Sequence, residues 1–193
     1  MTKCKLARNI ICNLGFCFCT FVLFSIPVLA LDTGIKEDTI KAIYSYKFGK
    51  FTEWPASKLN ASSTFLGFCI LGKNPFSQPA LDAIMDKRLK EKALKIKFFA
   101  NGLIAEDALP ECHIIFISQS EKQNLETILA ALHNQAILTV SDIEGFSAQG
   151  GMIALFKINH QIRFKINQDS VEKAGLSMSS KLLTLAKSEK KIF

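Results

Sequence analysis

Between residues 35 and 51, apolar side chains recur at helical spacing: Ile40, Ile43, Tyr44, Phe48 and Phe51. The spacing predicts a helix that Trp54-Pro55 ends, because the residue before a proline avoids the α region. Phe65 to Leu71 is a short continuous apolar run and predicts a buried strand, followed by a turn at Gly72-Lys73-Asn74-Pro75. Leu81 to Met85 predicts a short helix, and Leu94 to Phe99, which alternates weakly, a strand. Ile114 to Ile117 is β-branched and aromatic throughout, as in a central strand covered on both faces. Glu121 to His133 reads as an amphipathic helix with Leu125, Ile128, Leu129 and Leu132 on one face, and Ala136 to Val140 as another buried strand.

The pattern then changes. Met152 to Ile158 and Gln161 to Asn167 are alternating runs joined at Asn159-His160, which predicts a hairpin. Asp169 and Glu172 have the spacing of a capping box for a last helix, which Gly175 interrupts early and which continues through Lys181 to Lys187. The tail from Ser188 to Phe193 is basic and expected to fray. Strands alternating with helices predict an α/β fold: a single-domain three-layer sandwich, with a mostly parallel sheet, a C-terminal antiparallel hairpin and flanking helices.

The first thirty residues stand apart. Lys3, Lys5 and Arg8 precede an uncharged apolar run from Ile10 to Leu29, and Val28-Leu29-Ala30 supplies compact residues at its end. This is the layout of a secretory signal peptide, with cleavage expected after Ala30; the run also has the length of a retained membrane anchor. Residues 1–30 are thus read as an address and 31–193 as one domain. Cys17 and Cys19 each follow Phe, whereas a lipid-attachment cysteine wants a small residue before it.

Removal of the leader changes the composition. Four of six cysteines (Cys4, Cys12, Cys17, Cys19) leave with it, and Cys69 and Cys112 remain. In an oxidising compartment they allow one internal pairing; two buried thiols are the alternative. The net charge of +7 falls to +4 beyond residue 30, too mild to argue for nucleic acid. Hydrophobic residues at 49% exclude a mainly disordered chain. Sixteen Phe are mostly core; any left outside would form a partner patch.

Catalytic and cofactor signals are weak. Gly150-Gly151 reads as a turn into the hairpin, not a phosphate cradle. His113, His133 and His160 lack metal-ligand spacing. Ser170-Val171-Glu172-Lys173 and Ser188-Glu189-Lys190-Lys191 match a Ser-x-x-Lys pattern but fall at a helix start and in the tail. Asp142 and Glu144 follow a buried strand, where capping or loop solvation is expected. Asn60-Ala61-Ser62 is a glycosylation sequon, relevant only in a eukaryotic secretory pathway. The reading is of a non-enzyme with no cofactor and no metal.

Several segments together resemble the YfiR family of small bacterial periplasmic proteins. They are Ile40 to Phe48 with Lys50-Phe51-Thr52-Glu53-Trp54-Pro55; Phe68-Cys69-Ile70-Leu71-Gly72 with Asn74-Pro75-Phe76; Cys112 to Ile117; and Leu138-Thr139-Val140-Ser141-Asp142. Gly145-Phe146, Gly150-Gly151-Met152-Ile153, Arg163 to Asn167, Gly175-Leu176 and Ser179 to Ala186 complete the order. The resemblance covers about 35–187. It implies a periplasmic α/β sandwich that represses an inner-membrane diguanylate cyclase by binding its periplasmic region, within cyclic-di-GMP signalling and biofilm regulation. It implies an outer-membrane lipoprotein that sequesters the repressor, and a disulfide between Cys69 and Cys112. Two departures stand out. Lys165 occupies a hairpin position where the family usually has an acid, and the second cysteine pair of a characterised member is missing.

For the partner site, the junction of hairpin and last helix suggests a mixed patch of Ile153, Lys165 and Val171, with Ile162, Phe164 and Ile166 facing the core. A solvated face or a homodimer contact is the plain alternative. Phe51 and Trp54 are a second candidate, weighed against core packing. A periplasmic small-molecule binding module with an aromatic-lined pocket at the sheet edge is the rival function.

Overall fold

A computed structural model describes residues 36–59, 64–100 and 108–189. The expected leader with its cleavage site, the sequon at Asn60 and residues 190–193 of the expected tail lie outside the described residues; Ser188 and Glu189, the first two residues of that tail, are still helical. Helix α1 (Glu37–Lys50) carries Glu37 and Asp38 in its first turn and Lys47 and Lys50 in its last, the charge order a helix dipole favours. Then come β1 (Thr52–Glu53), β2 (Phe65–Leu71), α2 (Gln78–Met85), β3 (Arg88–Leu89) and β4 (Lys92–Phe99). The second half holds β5 (Cys112–Ile117), α3 (Leu125–Leu132), β6 (Leu138–Ser141), β7 (Ile153–Ile158), β8 (Gln161–Ile166), α4 (Gln168–Lys173), β9 (Ser177–Met178) and α5 (Ser180–Glu189).

Seven strands form one sheet in the order β3-β4-β2-β5-β6-β7-β8, and β1 pairs with β9 in a separate antiparallel ribbon. The run β4-β2-β5-β6-β7 is parallel, while β3 on β4 and β8 on β7 are antiparallel. Alternation along the central strands feeds two cores. Phe68, Ile70, Ile114 and Phe116 join Ala42, Phe48 and Ile84 of the α1–α2 layer. Cys69, Leu71, Ile115 and Ile117 join Leu125, Ile128 and Phe146 on the α3 side. The expected three-layer α/β sandwich is thus present. Gly49 permits the close seat of α1: a Cβ there would stand 2.6 Å from Ile114 Cδ1.

The differences from the sequence reading have local causes. The helix expected over 121–133 begins as 3-10 turns at Gln119–Asn124, where buried Glu121 accepts hydrogen bonds from Ser120 Oγ and Asn124 Nδ2. Asp169 does not cap α4. Asn167 is the N-cap, its Oδ1 accepting from Ser170 N at 3.1 Å, and Asp169 already lies inside the first turn. Gly175, at φ +71°, ends α4, so the expected single last helix is two helices with β9 between them. Strand β3 escapes the pattern because its turn uses Lys90 and Glu91 at positive φ, without the usual glycine or asparagine.

Candidate partner-binding site

In doubly wound sheets ligands settle beyond the carboxyl ends of the strands where the chain's direction of travel reverses. Here β4 lies to one side of β2, and β5, β6 and β7 to the other, so that place falls between the ends of β2 and β5. The protein's own side chains occupy it. A Cβ on Gly72 would lie 2.4 Å from Ser120 Oγ and 2.5 Å from Glu121 Oε1. Ser120 Oγ also accepts from Lys73 N at 2.9 Å, and Ser118 N donates to Leu71 O at 3.0 Å.

At the other end of the same strand pair, the ladder skips His113: Gly67 pairs with Cys112 and Phe68 with Ile114. The bulged His113 ring turns back, and its Nδ1 accepts from Gly67 N at 3.1 Å. Trp54 packs edge-on against it with ring centres 6.3 Å apart. Cys69 and Cys112 are joined as a disulfide beside this bulge, both fully buried. Lys58 donates to Leu109 O at 3.1 Å, and burial pushes its pKa down to about 8.

Burial, and next the charge of Lys58, hold His113 below its ordinary pKa; backbone hydrogen bonds to Glu111 and Lys58 act the other way, and Lys92 adds to the repulsion. The unfolded chain therefore takes up this proton before the folded one does. The stabilisation is complete above about pH 6.5 and declines as the pH falls from there towards the folded-state value. Urea midpoints at pH 7.5 and 5.5 are expected to show that decline in the wild type and to lose most of it in His113→Asn. An equal slope in the variant would assign the decline to other groups.

The hairpin patch is not formed as the sequence suggested. Ile153 is fully buried and Val171 is 3% exposed, both in the core beneath the α1–α2 side. Lys165 pairs with Ala154, whereas Ile153 pairs with Ile166, so the two-residue period puts Lys165 on the opposite face of the sheet from Ile153. There its Nζ lies 5.3 Å from the centre of the Phe156 ring. Nor does either alternating set of β7 leave the core at its start. Met152 through Leu155 are all buried, because β7 continues the sheet beyond β6 and is covered on both sides. Ile162 and Phe164 do face the core, and Ile166 packs against it.

Trp54 is core, 6% exposed, as the alternative held; Phe51 is 39% exposed. Phe51 closes α1, and its carbonyl accepts from Ser179 N at 2.9 Å, which brings it to the head of α5. Thr52 pairs with Met178, so the β1–β9 ribbon lies directly beside it. Next to this ribbon, a shallow groove of about 120 Å³ runs between Gln168, Val171, Glu172, Ser177, Met178 and Leu183. The structure thus separates Val171 from Lys165 and sets it in the floor of a groove near Phe51. Met178 owes its place to a two-residue strand, which no periodicity announces.

Asp142 is neither a cap nor a solvated loop residue. Its Oδ2 meets Lys41 Nζ at 2.7 Å; Lys41 also meets Glu37, and Glu37 meets Lys157, each at 2.7 Å. Burial opposes the charge on Lys41, but hydrogen bonds to Asp142 and Glu37 outweigh it and raise its pKa. Lys157, and then Lys41, hold Glu37 below the usual carboxylate range. This chain of charges ties α1 to the ends of β6 and β7. No sequence spacing announces it, since Lys41 and Asp142 are 101 residues apart.

A doubly wound domain whose usual crevice is filled by its own side chains, with an exposed aromatic near a shallow groove of mixed polar and apolar lining, has the build of a surface-presenting domain. The chain belongs to the YfiR/HmsC-like family, whose domain matches residues 38–187. That family is regulatory and periplasmic, and is linked to control of membrane diguanylate cyclases in cyclic-di-GMP signalling. No curated protein matches the chain. Among the described residues, no helix is long and apolar enough to cross a membrane.

Proposed function

We propose that this protein is exported to the periplasm, its leader cleaved after Ala30, and there represses an inner-membrane diguanylate cyclase by binding the cyclase's periplasmic region. The observation that carries this reading is the family match over 38–187, nearly the whole of the chain beyond the leader. The contact we assign to it is the groove over Val171 together with Phe51, where an apolar side chain of the partner finds Met178 and Leu183 as walls. Lys165, on the other sheet face, lies away from this groove and is no part of the contact. An outer-membrane lipoprotein that competes for the same groove would release the cyclase. Self-association through the groove is a further use of the same surface, and nucleic acid has no part.

Deleting the gene in the native host is expected to raise intracellular cyclic-di-GMP. Restoring the full chain should reverse the rise, and restoring a chain without residues 1–30 should not. Phe51→Glu, exported and folded, is expected to weaken binding by about 2 kcal/mol, roughly 30-fold, and to leave cyclic-di-GMP high. Unchanged cyclic-di-GMP after deletion, in cells shown to make the protein, would overturn the reading. Full repression by Phe51→Glu would overturn the assigned contact.

A further inference from the structure

A second concavity, of about 480 Å³, lies at the opposite end of the sheet from the filled crevice. It is bounded by α3 and the turn after it, the turn that leads into β7, and α4. The size is that of a small-molecule site. It is not the aromatic-lined pocket at the sheet edge that the rival reading expected: no Phe, Tyr or Trp lines it.

Its chemistry falls into three zones. Glu126 of α3 supplies a negative charge and Lys173 of α4 a positive one. Neither makes an ion pair or side-chain hydrogen bond with another described residue. This contrasts with Glu37, Lys41, Glu53, Lys90, Lys97 and Glu111, which are all paired. The lining also holds neutral groups that both donate and accept: Asn134, Gln149 and Ser170. Leu129, Leu132 and Met152 form an apolar wall.

A ligand that answers all three zones carries a cation at one end, an anion at the other, amide groups between them and an aliphatic side chain. We infer that this concavity binds a short zwitterionic peptide, with its ammonium towards Glu126, its carboxylate towards Lys173 and its amides on Asn134, Gln149 and Ser170. A peptide seated there would bridge α3 to α4, the helix that also floors the partner groove through Val171. It would thus give a regulatory domain a small-molecule input of its own.

The test is titration calorimetry on the exported, oxidised protein with four tripeptides, Ala-x-Ala with x as Leu, Met, Ser or Gln. Saturable binding tighter than about 1 mM is expected for at least the Leu or Met peptide. N-acetylation of that peptide, and separately its C-terminal amidation, are each expected to cost about tenfold, as are Glu126→Gln and Lys173→Met in the protein. Phe51→Glu, outside the concavity, should bind the peptide like the wild type. No binding by any of the four, or binding indifferent to both Glu126→Gln and Lys173→Met, would overturn the inference. Neither result bears on cyclase repression, which is read separately from cyclic-di-GMP in the cell.

Discussion

Replacing Cys69 and Cys112 together by alanine is expected to lower the unfolding free energy by about 4 kcal/mol. The two residues are 43 apart, and the bond removes much of the freedom of the intervening chain when the protein unfolds. Their Cα atoms are 5.8 Å apart, within the range a bridge spans with the backbone undisturbed. The site makes the loss hard to absorb. Cys112 faces Gly67 across the ladder, and a Cβ on Gly67 would stand 1.9 Å from Glu111 O, so the two strands meet there backbone to backbone. Denaturant midpoints of the wild type, oxidised and reduced, and of the double variant measure the effect. Reduced wild type and double variant should nearly coincide; a double variant as stable as oxidised protein would show that β2 and β5 hold each other without the bond.

Phe116→Ala is expected to cost about 3–5 kcal/mol, the usual penalty for emptying a large buried aromatic site. Phe116 is wholly buried, with its ring centre 4.8 Å from that of Phe76, and Phe76 in turn packs on Phe68 at 6.3 Å. The parallel strands on either side leave little room for the cavity to collapse. Phe98→Ala, at a site 54% exposed on β4, should stay within about 0.5 kcal/mol. Urea unfolding of the two variants gives the comparison. Equal losses would mean that Phe98 packs against something beyond the described residues.

The same contrast shows what could be read from the chain beforehand. The strands that carry the core were legible because their apolar runs are long enough to span the sheet: Phe65–Leu71 is β2 to the residue, and Ile114–Ile117 lies within β5. Fold class followed from their alternation with helices. What escaped was short or distant. Strands β1, β3 and β9 have two residues each, below any periodicity. The ion chain through Lys41 and Asp142, and the neighbourhood of His113 and Lys58, join segments far apart in sequence. The candidate patch failed at Ile153 for a reason open to the eye but easily misjudged. Its alternation is that of a half-buried strand, yet β7 sits inside the sheet at that point, and both of its faces are covered. Exposure of Phe51 could not be told from exposure of Trp54, since both follow the same helix and only tertiary packing separates them.

Beyond its two-residue pairing with β3, β4 meets no strand on its far side among the described residues, and its sequence there places Lys95 and Lys97 between apolar neighbours. A second molecule approaching edge to edge would bring its own Lys95 alongside this one and crowd the Lys97–Glu111 ion pair. Open strands otherwise invite end-to-end growth of sheets, and lysine is a common guard against it. In a family whose members work in the periplasm, outside the reach of the cytosol's chaperones, β4 thus carries a barrier to edge-to-edge polymerisation.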